Sequence, residues 1–412
     1  MCGISVAEGM LPSAVNNAIR EQMSHLADFA AGTSGVDVLK LQDDTDTNSI
    51  KLQAPASVTT TTTFTLPDGD GASGQAMITD GAGTLSWAAP YGNRNLIING
   101  AMQVAQRGTS FADLNGYNLD RFEVGSSDDG AVTVTQDTTV PSGQGFKNSM
   151  KFDVTTADTS IGASQYYQFY QKIEGQNVAH LMWGTSDAKS VTLSFWCRSN
   201  KTGTYVITFM NNAADRLNPN NFTINSANTW EKKTITVSGD TTGTWLTTNG
   251  IGLYVIWNLA LGSDYQDGTN GTWGSADYGS GATVNFLDST SNEFYITGIQ
   301  LEVGEQATPF EHRSFADEML RCQRYFCGLS STGTTPVVEG GYIYGYTWEN
   351  NNIAGSEYYS PVDMRAQPTL SYTASFPATW DSTYYRINGV RKNKSSHTTG
   401  SWFNYPQLDA EL

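Results

Sequence analysis

The sequence predicts a mostly β protein built from several modules. Its 412 residues exceed one ordinary domain and are enough for two or three, each with its own core. Charged residues make up only 15% of the chain and aromatic residues 11%, a composition that suits β-sheets joined by tight turns. The predicted order is an N-terminal helix, a thin β shaft, a jelly-roll-like β-sandwich and a small β-rich C-terminal tip.

Residues 1–33 are predicted to contain one amphipathic helix. Pro12 suits its first turn and Gly32 its end. The apolar positions recur at helical spacing and are Val15, Ile19, Met23, Leu26 and Ala30. A single apolar stripe cannot fold alone, so it packs either on a neighbouring module or on copies of itself; we favour association with other chains.

Residues 34–90 are predicted to form short strands broken by turns such as Asp68 to Gly71 and Asp80 to Gly83. The segment holds too few large apolar residues to bury a core by itself. Intertwining of several chains would supply the missing burial, which predicts a thin multi-chain shaft.

Residues 91–313 show longer strands with clear alternation and Gly, Asn or Asp turns, the pattern of a β-sandwich. A period of two predicts that one face of Ile251 to Leu261 lies inside, and it predicts a β-bulge at Gly298. The predicted inward positions of these strands are Val191, Leu193, Phe195, Cys197, Ile251, Leu253, Val255, Trp257, Leu259, Leu261, Phe294, Ile296, Ile299, Leu301 and Val303.

Residues 314–327 are predicted to form a connector helix that Ser314 caps, with Phe315, Met319 and Cys322 or Tyr325 on one side. Residues 328–412 return to short strands with turn signals such as Asn388-Gly389 and dense aromatic residues. We interpret this last segment as a separate tip.

Charge and composition exclude several classes of function. A formal net charge of −17 argues against nucleic acid, which requires clustered Lys and Arg. The start of the chain lacks a secretory pattern, and the longest apolar run, Ile251 to Leu261, is too short to cross a bilayer. The scattered cysteines Cys2, Cys197, Cys322 and Cys327 predict free thiols. We expect a protein made in the cytosol without membrane insertion.

No motif for catalysis stands out. The histidines His25, His180, His312 and His397 have no nucleophile-elbow sequence near them. Neither Gly-x-x-x-x-Gly-Lys nor His-Glu-x-x-His occurs, so no nucleotide or catalytic zinc is predicted. The sequence therefore predicts that the protein is not an enzyme and has no cofactor.

Four segments resemble a known family. Residues 5–20 (SVAEGMLPSAVNNAIR) resemble the virion-attachment start of tailed-bacteriophage tail fibre proteins, and residues 66–67 with 71–75 and 79–87 resemble a shaft sequence of such fibres. Residues 95–102 (NLIINGAM), 106–108 (QRG) and 119–122 (LDRF) resemble the start of a phage-fibre module with a carbohydrate-binding-type sandwich. Residues 300–304 (QLEVG) and 307–313 (ATPFEHR) resemble its end.

The resemblance implies an elongated homotrimeric tail fibre, assembled in the host cytoplasm and located in the virion. Its N-terminus would dock on phage tail proteins, and its far end would meet a host surface polysaccharide or lipopolysaccharide. Residues 361–369 (PVDMRAQPT) are similar to the end segment of such fibres, but the receptor does not carry over. Two alternatives stay open: a purely structural head fibre or tail spacer, and a depolymerase that uses two carboxylates.

Sugar recognition uses flat aromatic faces beside amides and carboxylates. In the tip, Tyr342, Tyr344, Tyr346 and Trp348 recur at every second position and would share one face of a strand. In the sandwich the candidates are Trp183, Trp245, Trp273 and Tyr278, with Tyr265 also to be inspected. Core or inter-chain packing is the competing interpretation for all of them.

A structural calcium ion is a further hypothesis. Asp264 and Asp267 lie in a loop rich in hard oxygen ligands, although a solvated turn explains them equally simply. Asp120 and Glu302 lie in the opening and closing motifs of the sandwich, where carbohydrate-binding modules often hold a structural calcium. An ion pair of Asp120 with Arg121 or Arg313 is the alternative.

Overall fold

The computed structural model describes most of the sandwich and parts of the flanking segments. The described residues are Arg20, Met23, 38–42, 49–53, 63–69, 76–79, 82–88, 94–275, 278–282, 284–328, 342–347, 354–374, 382–386, 389–394 and 403–412. They divide into two units: residues 1–67 with 81–85, and residues 68–80 with 86–412.

The first unit contains one antiparallel hairpin. Strands β1 (Val38–Gln42) and β2 (Ser49–Gln53) pair in register from Val38 with Gln53 to Gln42 with Ser49. Thr65 and Thr84 form an isolated parallel bridge. Arg20 and Met23 are helical, and Met23 is 66% exposed. The other predicted stripe residues, Val15, Ile19 and Leu26, lie outside the described residues.

Two short strands, β3 (Ala76–Thr79) and β4 (Leu85–Ala88), precede the sandwich. The sandwich strands are β5 (Ser110–Ala112), β6 (Gly116–Tyr117), β7 (Phe122–Ser126), β8 (Ala131–Asp137), β9 (Ser149–Thr156), β10 (Tyr166–Glu174), β11 (Val191–Ser199), β12 (Gly203–Met210), β13 (Leu217–Ile224), β14 (Glu231–Val237), β15 (Ile251–Leu261) and β16 (Glu293–Val303). One helical turn, α1 (Gly175–Val178), and short 3-10 turns at Ala179–Leu181, Ser263–Tyr265 and Phe286–Asp288 connect them.

The twelve strands form two six-stranded sheets. The front sheet has the order β13-β12-β15-β10-β7-β6, and the back sheet has the order β14-β11-β16-β9-β8-β5. All strand pairs of both sheets are antiparallel. The predicted mostly β architecture with a β-sandwich is thereby confirmed.

Apolar side chains from both sheets fill the space between them. Of the predicted inward residues of β15, Leu253, Val255, Trp257 and Leu259 are buried in this core, whereas Leu261 is buried outside it and Ile251 is only partly buried. Trp257 stacks on Phe169 of β10 with ring centroids 5.1 Å apart and planes 3° apart. Ring packing of this kind adds to the free energy gained from burial.

The predicted bulge at Gly298 is confirmed. The pairing of β11 with β16 shifts between Ser194 opposite Gln300 and Trp196 opposite Thr297. Gly298 has φ +62, and an added Cβ would lie 2.5 Å from a ring carbon of Phe146. Only glycine satisfies both the left-handed backbone and this close approach.

A second helix, α2 (Phe315–Gln323), follows the sandwich. The Ser314 hydroxyl accepts a hydrogen bond from the Asp317 amide at 3.1 Å, which confirms the predicted cap. Cys322 and Tyr325 are buried, and Phe315, at the start of the helix, is 55% exposed. Glu318 contacts the sandwich from this helix: its carboxylate accepts the Asn99 amide and pairs with Arg313.

The C-terminal strands are β17 (Phe326–Gly328), β18 (Tyr342–Thr347), β19 (Ala354–Tyr359), β20 (Thr369–Ala374), β21 (Ser382–Arg386), β22 (Gly389–Lys394) and β23 (Phe403–Asp409). They form a three-stranded sheet β17-β23-β20 and a four-stranded sheet β18-β19-β22-β21. The three described cysteines, Cys197, Cys322 and Cys327, are free and buried. No helix in the described part of the chain is long and apolar enough to cross a membrane.

Candidate functional site

The outer face of the front sheet carries a group of tyrosines. Along β10 buried and partly exposed residues alternate, so Tyr166, Gln168, Tyr170 and Lys172 point away from the core. Pairing across the sheet places Tyr170 beside Glu123 of β7 on one side and beside Ile256 of β15 on the other. Adjacent strands therefore build one continuous surface from residues far apart in the sequence.

The segment that follows β15 packs on this surface at β12 and β13. Leu217 exchanges backbone hydrogen bonds with Gly274, and the Ser280 hydroxyl donates to Asn221 at 2.8 Å. The Thr208 hydroxyl donates to the Tyr278 carbonyl. Met210, Leu217 and Ile256 are buried there, while the part over β7, β10 and the near side of β15 is more open, with side chains that are partly exposed.

We call the open part the tyrosine face. Its floor and border consist of Glu123, Gly125, Tyr166, Gln168, Tyr170, Lys172, Tyr254, Tyr265 and Tyr278. The rings of Tyr170 and Tyr254 lie 6.0 Å apart, centroid to centroid. At the border, Tyr265 lies 5.6 Å from Tyr166 and 5.9 Å from Tyr278. The face thus offers several half-buried aromatic rings at different inclinations.

Gly125 shapes the floor of the tyrosine face. A Cβ atom at this position would lie 3.1 Å from Cε1 of Tyr170 and 3.4 Å from Nε2 of Gln168. These distances are shorter than comfortable packing allows, so the absence of a side chain lets the Tyr170 ring lie across β7. A flat ring presented over a strand is available for stacking.

Polar groups stand beside the rings. Lys172 Nζ lies 2.7 Å from Glu123 Oε2, and it also lies 5.6 Å from the centroid of the Tyr170 ring. Burial, reinforced by the Glu123 carboxylate that interacts with its hydroxyl, raises the pKa of Tyr170, so the Tyr170 hydroxyl stays neutral. The Gln168 amide has no hydrogen-bond partner among the described residues, which leaves donors and acceptors for a ligand.

The structure brings together three of the residues singled out in the sequence. Trp183, Trp245 and Trp273 form a cluster with ring centroids 4.7, 5.2 and 5.3 Å apart in pairs. Trp183 is only 8% exposed and belongs to the core, while the other two rings are partly buried against it. Tyr278 is separate from this cluster and borders the tyrosine face.

The tip candidates are only partly described. Tyr342, Tyr344 and Tyr346 lie in β18, which confirms that they share one strand, and they stand opposite Tyr359, Glu357 and Gly355 of β19. Their side chains and Trp348 lie outside the described residues. A role in binding therefore stays a prediction for this strand.

The proposed calcium ligands are occupied by other groups. Both oxygens of Asp120 accept hydrogen bonds from Gln106, through its backbone and side-chain N–H groups. Glu302 accepts from the Thr308 amide at 2.8 Å and the Thr308 hydroxyl at 2.6 Å. The carboxylate oxygens of Asp120 and Glu302 therefore accept hydrogen bonds from N–H and O–H groups in this structure, and calcium binding by these two residues stays a prediction.

Asp264 and Asp267 are exposed, and no group of three or more potential metal ligands occurs among the described residues. Calcium binding stays a prediction. Arg121 and Arg313 do not pair with Asp120; they pair with Glu411 and with Glu311 and Glu318 instead. The ion pair expected for Asp120 was therefore wrong.

Sequence inspection missed Glu123, Gln168, Tyr170 and Tyr254 as site residues. The sequence feature that could have identified part of this set is the alternation of Tyr166, Gln168 and Tyr170 with buried positions in one strand. The pairing of β10 with β15, which adds Tyr254 beside Lys172, has no local signature in the sequence.

Fold and site together define a two-sheet β-sandwich protein with an aromatic and polar outer face on one sheet. No family model matches the chain, and no curated protein matches it. Among solved structures, the enzymatically active domain of tailspike protein 4 of bacteriophage CBA120 is 14% identical with a TM-score of 0.30, over 51% of this chain and 21% of that one.

Two carbohydrate-binding modules are also similar. CBM4 is 14% identical with a TM-score of 0.27, over 50% of this chain and 98% of that one. The family 11 module of a Clostridium thermocellum cellulosomal cellulase is 12% identical with a TM-score of 0.24, over 48% of this chain and 97% of that one. These likenesses are too distant to assign a function.

Proposed function

We propose that the protein is a fibre component of a tailed-phage virion that binds a host surface glycan through the tyrosine face. The observation that carries this proposal is the combination of half-buried tyrosine rings and the Gln168 amide on one partly exposed face, bordered by the largely buried Glu123–Lys172 ion pair, whose lysine also donates to the Leu412 carbonyl. Sugar rings stack their C–H faces on aromatic rings and donate their hydroxyls to amides and carboxylates.

The phage assignment rests on the motifs of residues 5–20, 66–87, 95–122 and 300–313. A homotrimer with its N-terminus on the phage tail follows from that resemblance. Large apolar side chains that are exposed in the single chain support association with further copies; they are Met23 (66%), Phe64 (63%), Leu66 (68%) and Met77 (45%).

The chemistry of the face favours binding over cleavage. Glycoside hydrolysis uses two carboxyl groups that flank the scissile bond. Glu123 is the single acidic residue of the tyrosine face, and Lys172 holds it in an ion pair at 2.7 Å. We therefore propose a protein that holds its glycan without shortening it.

The test uses the full-length chain on an array of bacterial surface polysaccharides and lipopolysaccharides. The double variant Tyr170→Ala, Tyr254→Ala is expected to lose about tenfold or more in affinity, since each lost stacking contact removes about 1 kcal/mol. Trp230→Ala is the matched control, because this half-exposed ring packs on Tyr295 of the back sheet.

Three results would contradict the proposal. A folded wild-type oligomer that binds no glycan would support a structural spacer. Equal loss in the control and the double variant would remove the tyrosine face as the site. Release of reducing ends from a bound polysaccharide would indicate a depolymerase.

A further inference from the structure

A cavity lies at the end of the sandwich where β15 begins. Its volume is about 230 Å³, and it opens to the surface. The lining residues are Val178, Ala179, Leu181, Met182, Trp183, Thr185, Trp245, Leu246, Thr247 and Leu253. We call it the tryptophan pocket. An apolar cavity of about 150 Å³ is enough for a benzene-sized molecule, so this one has room for a group of that size.

The interior of the tryptophan pocket offers no indole hydrogen-bond donor. Trp183 Nε1 donates to the Lys189 carbonyl at 2.8 Å, and Trp245 Nε1 donates to the Thr242 carbonyl at 3.2 Å. Both rings therefore present only their carbon faces. The polar side chains of the lining are Thr185 and Thr247, both of which are exposed.

The walls of the pocket are held in place before any ligand arrives. Asp240, in the loop that carries Trp245, is 2% exposed, and both its oxygens accept hydrogen bonds from Arg216 at 2.7 Å. The Asp240 carbonyl accepts the Gly184 amide at 2.7 Å, which ties this loop to the one that carries Trp183. A preorganised pocket loses little conformational entropy on binding.

We propose that the tryptophan pocket binds the methyl group of a methyl-bearing sugar, a 6-deoxyhexose or an N-acetylhexosamine. The inference rests on the proposed glycan-binding function and names the sugar class. A hydroxyl group inside this pocket would lose its hydrogen bonds to water without replacement. A methyl group gains from burial against Trp183 and Trp245, while the ring hydroxyls remain at the rim beside Thr185 and Thr247.

The experiment compares matched monosaccharides by tryptophan fluorescence and calorimetry on the full-length chain. D-fucose is D-galactose without its 6-hydroxyl, and N-acetylglucosamine is compared with N-formylglucosamine, which lacks only the methyl group. We expect one methyl-bearing member to bind about tenfold or more tightly than its partner, as for a methyl-sized difference in an apolar pocket. The pair that shows this preference identifies which of the two sugars the pocket accepts.

Two variants locate the preference. Trp245→Ala is expected to abolish it, and Thr247→Trp, which fills the mouth from an exposed position, is expected to do the same without removing core atoms. The double variant Tyr170→Ala, Tyr254→Ala is expected to keep the preference, because its rings lie outside the pocket lining.

The inference fails if neither methyl-bearing sugar is preferred, if the preference survives Thr247→Trp, or if the pocket binds toluene and no sugar. Such a failure leaves the proposed function intact when polysaccharide binding still depends on Tyr170 and Tyr254. Loss of all glycan binding by the wild-type protein would remove both proposals.

Discussion

Arg121 and Glu411 form a buried ion pair although 290 residues separate them in the sequence. Their side chains are only 1% and 5% exposed. The Arg121 guanidinium lies 3.5 Å from the centroid of the Tyr325 ring, and Arg107 reaches the other oxygen of Glu411 at 3.2 Å. This contact attaches residues 410–412, which follow β23, to the sandwich and so fixes the position of the end of β23.

Replacing one partner of this pair should be costly. Glu411→Leu leaves Arg121 without its countercharge in a buried position, while Arg107 keeps Asp409 as a partner, so the free energy of unfolding should fall by about 3–5 kcal/mol. The double variant Arg121→Met, Glu411→Leu should recover part of that loss, because it removes an uncompensated charge as well. Urea unfolding measures both, and a double variant less stable than Glu411→Leu would contradict this role.

Gly125 provides a test of the tyrosine face that leaves its aromatic residues in place. Gly125→Val should push the Tyr170 ring off the floor and weaken glycan binding about fivefold, the equivalent of one stacking contact. The melting temperature should change little, because the displaced ring lies on the outer face. Thr223→Val, at an exposed position of β13, is the control. Unchanged affinity in Gly125→Val would indicate that Tyr170 does not contact the glycan.

The sequence predicts the sandwich well because alternation in a strand reports burial directly. Leu253, Val255 and Trp257 were identified as core residues from their spacing alone. The tyrosine face escaped prediction because it depends on which strands are neighbours: β10 pairs with β15 across some eighty residues of intervening chain. Helix α2 shows a similar limit. Helical spacing predicts the side of the helix on which Phe315 lies, but it does not predict that Glu318 makes the contact with the sandwich.

Gly298 should tolerate substitution poorly. Gly298→Ala combines a left-handed backbone at φ +62 with a Cβ 2.5 Å from the Phe146 ring. The control Gly143→Ala has φ +74 and nothing within 4 Å of its Cβ. Backbone strain alone should lower the free energy of unfolding of the control by about 1 kcal/mol. In Gly298→Ala, overpacking should lower it by about 1–3 kcal/mol more. An equal loss of stability in the two variants, measured by thermal unfolding, would show that the Phe146 ring moves aside without cost.

The cysteines give a site-resolved readout of the Arg121–Glu411 contact. Burial raises the pKa of Cys197 to about 12 and that of Cys327 to about 12, so both thiols are protonated and shielded at pH 8. In a Cys2→Ser background, iodoacetamide should modify neither residue in the native protein and both after denaturation. Mass spectrometry of tryptic peptides distinguishes the two sites.

Adding Glu411→Leu should change this pattern at one site only. Cys327 lies in β17 opposite Leu408 of β23, so detachment of the segment after β23 should expose it to the reagent. Cys197 is fully buried in β11, between β14 and β16 of the back sheet, and should stay unmodified until the sandwich unfolds. Equal labelling rates at the two sites would mean that the C-terminal strands and the sandwich unfold as one unit. The Arg121–Glu411 pair would then stabilise that whole unit and would not serve to attach the C-terminal strands alone.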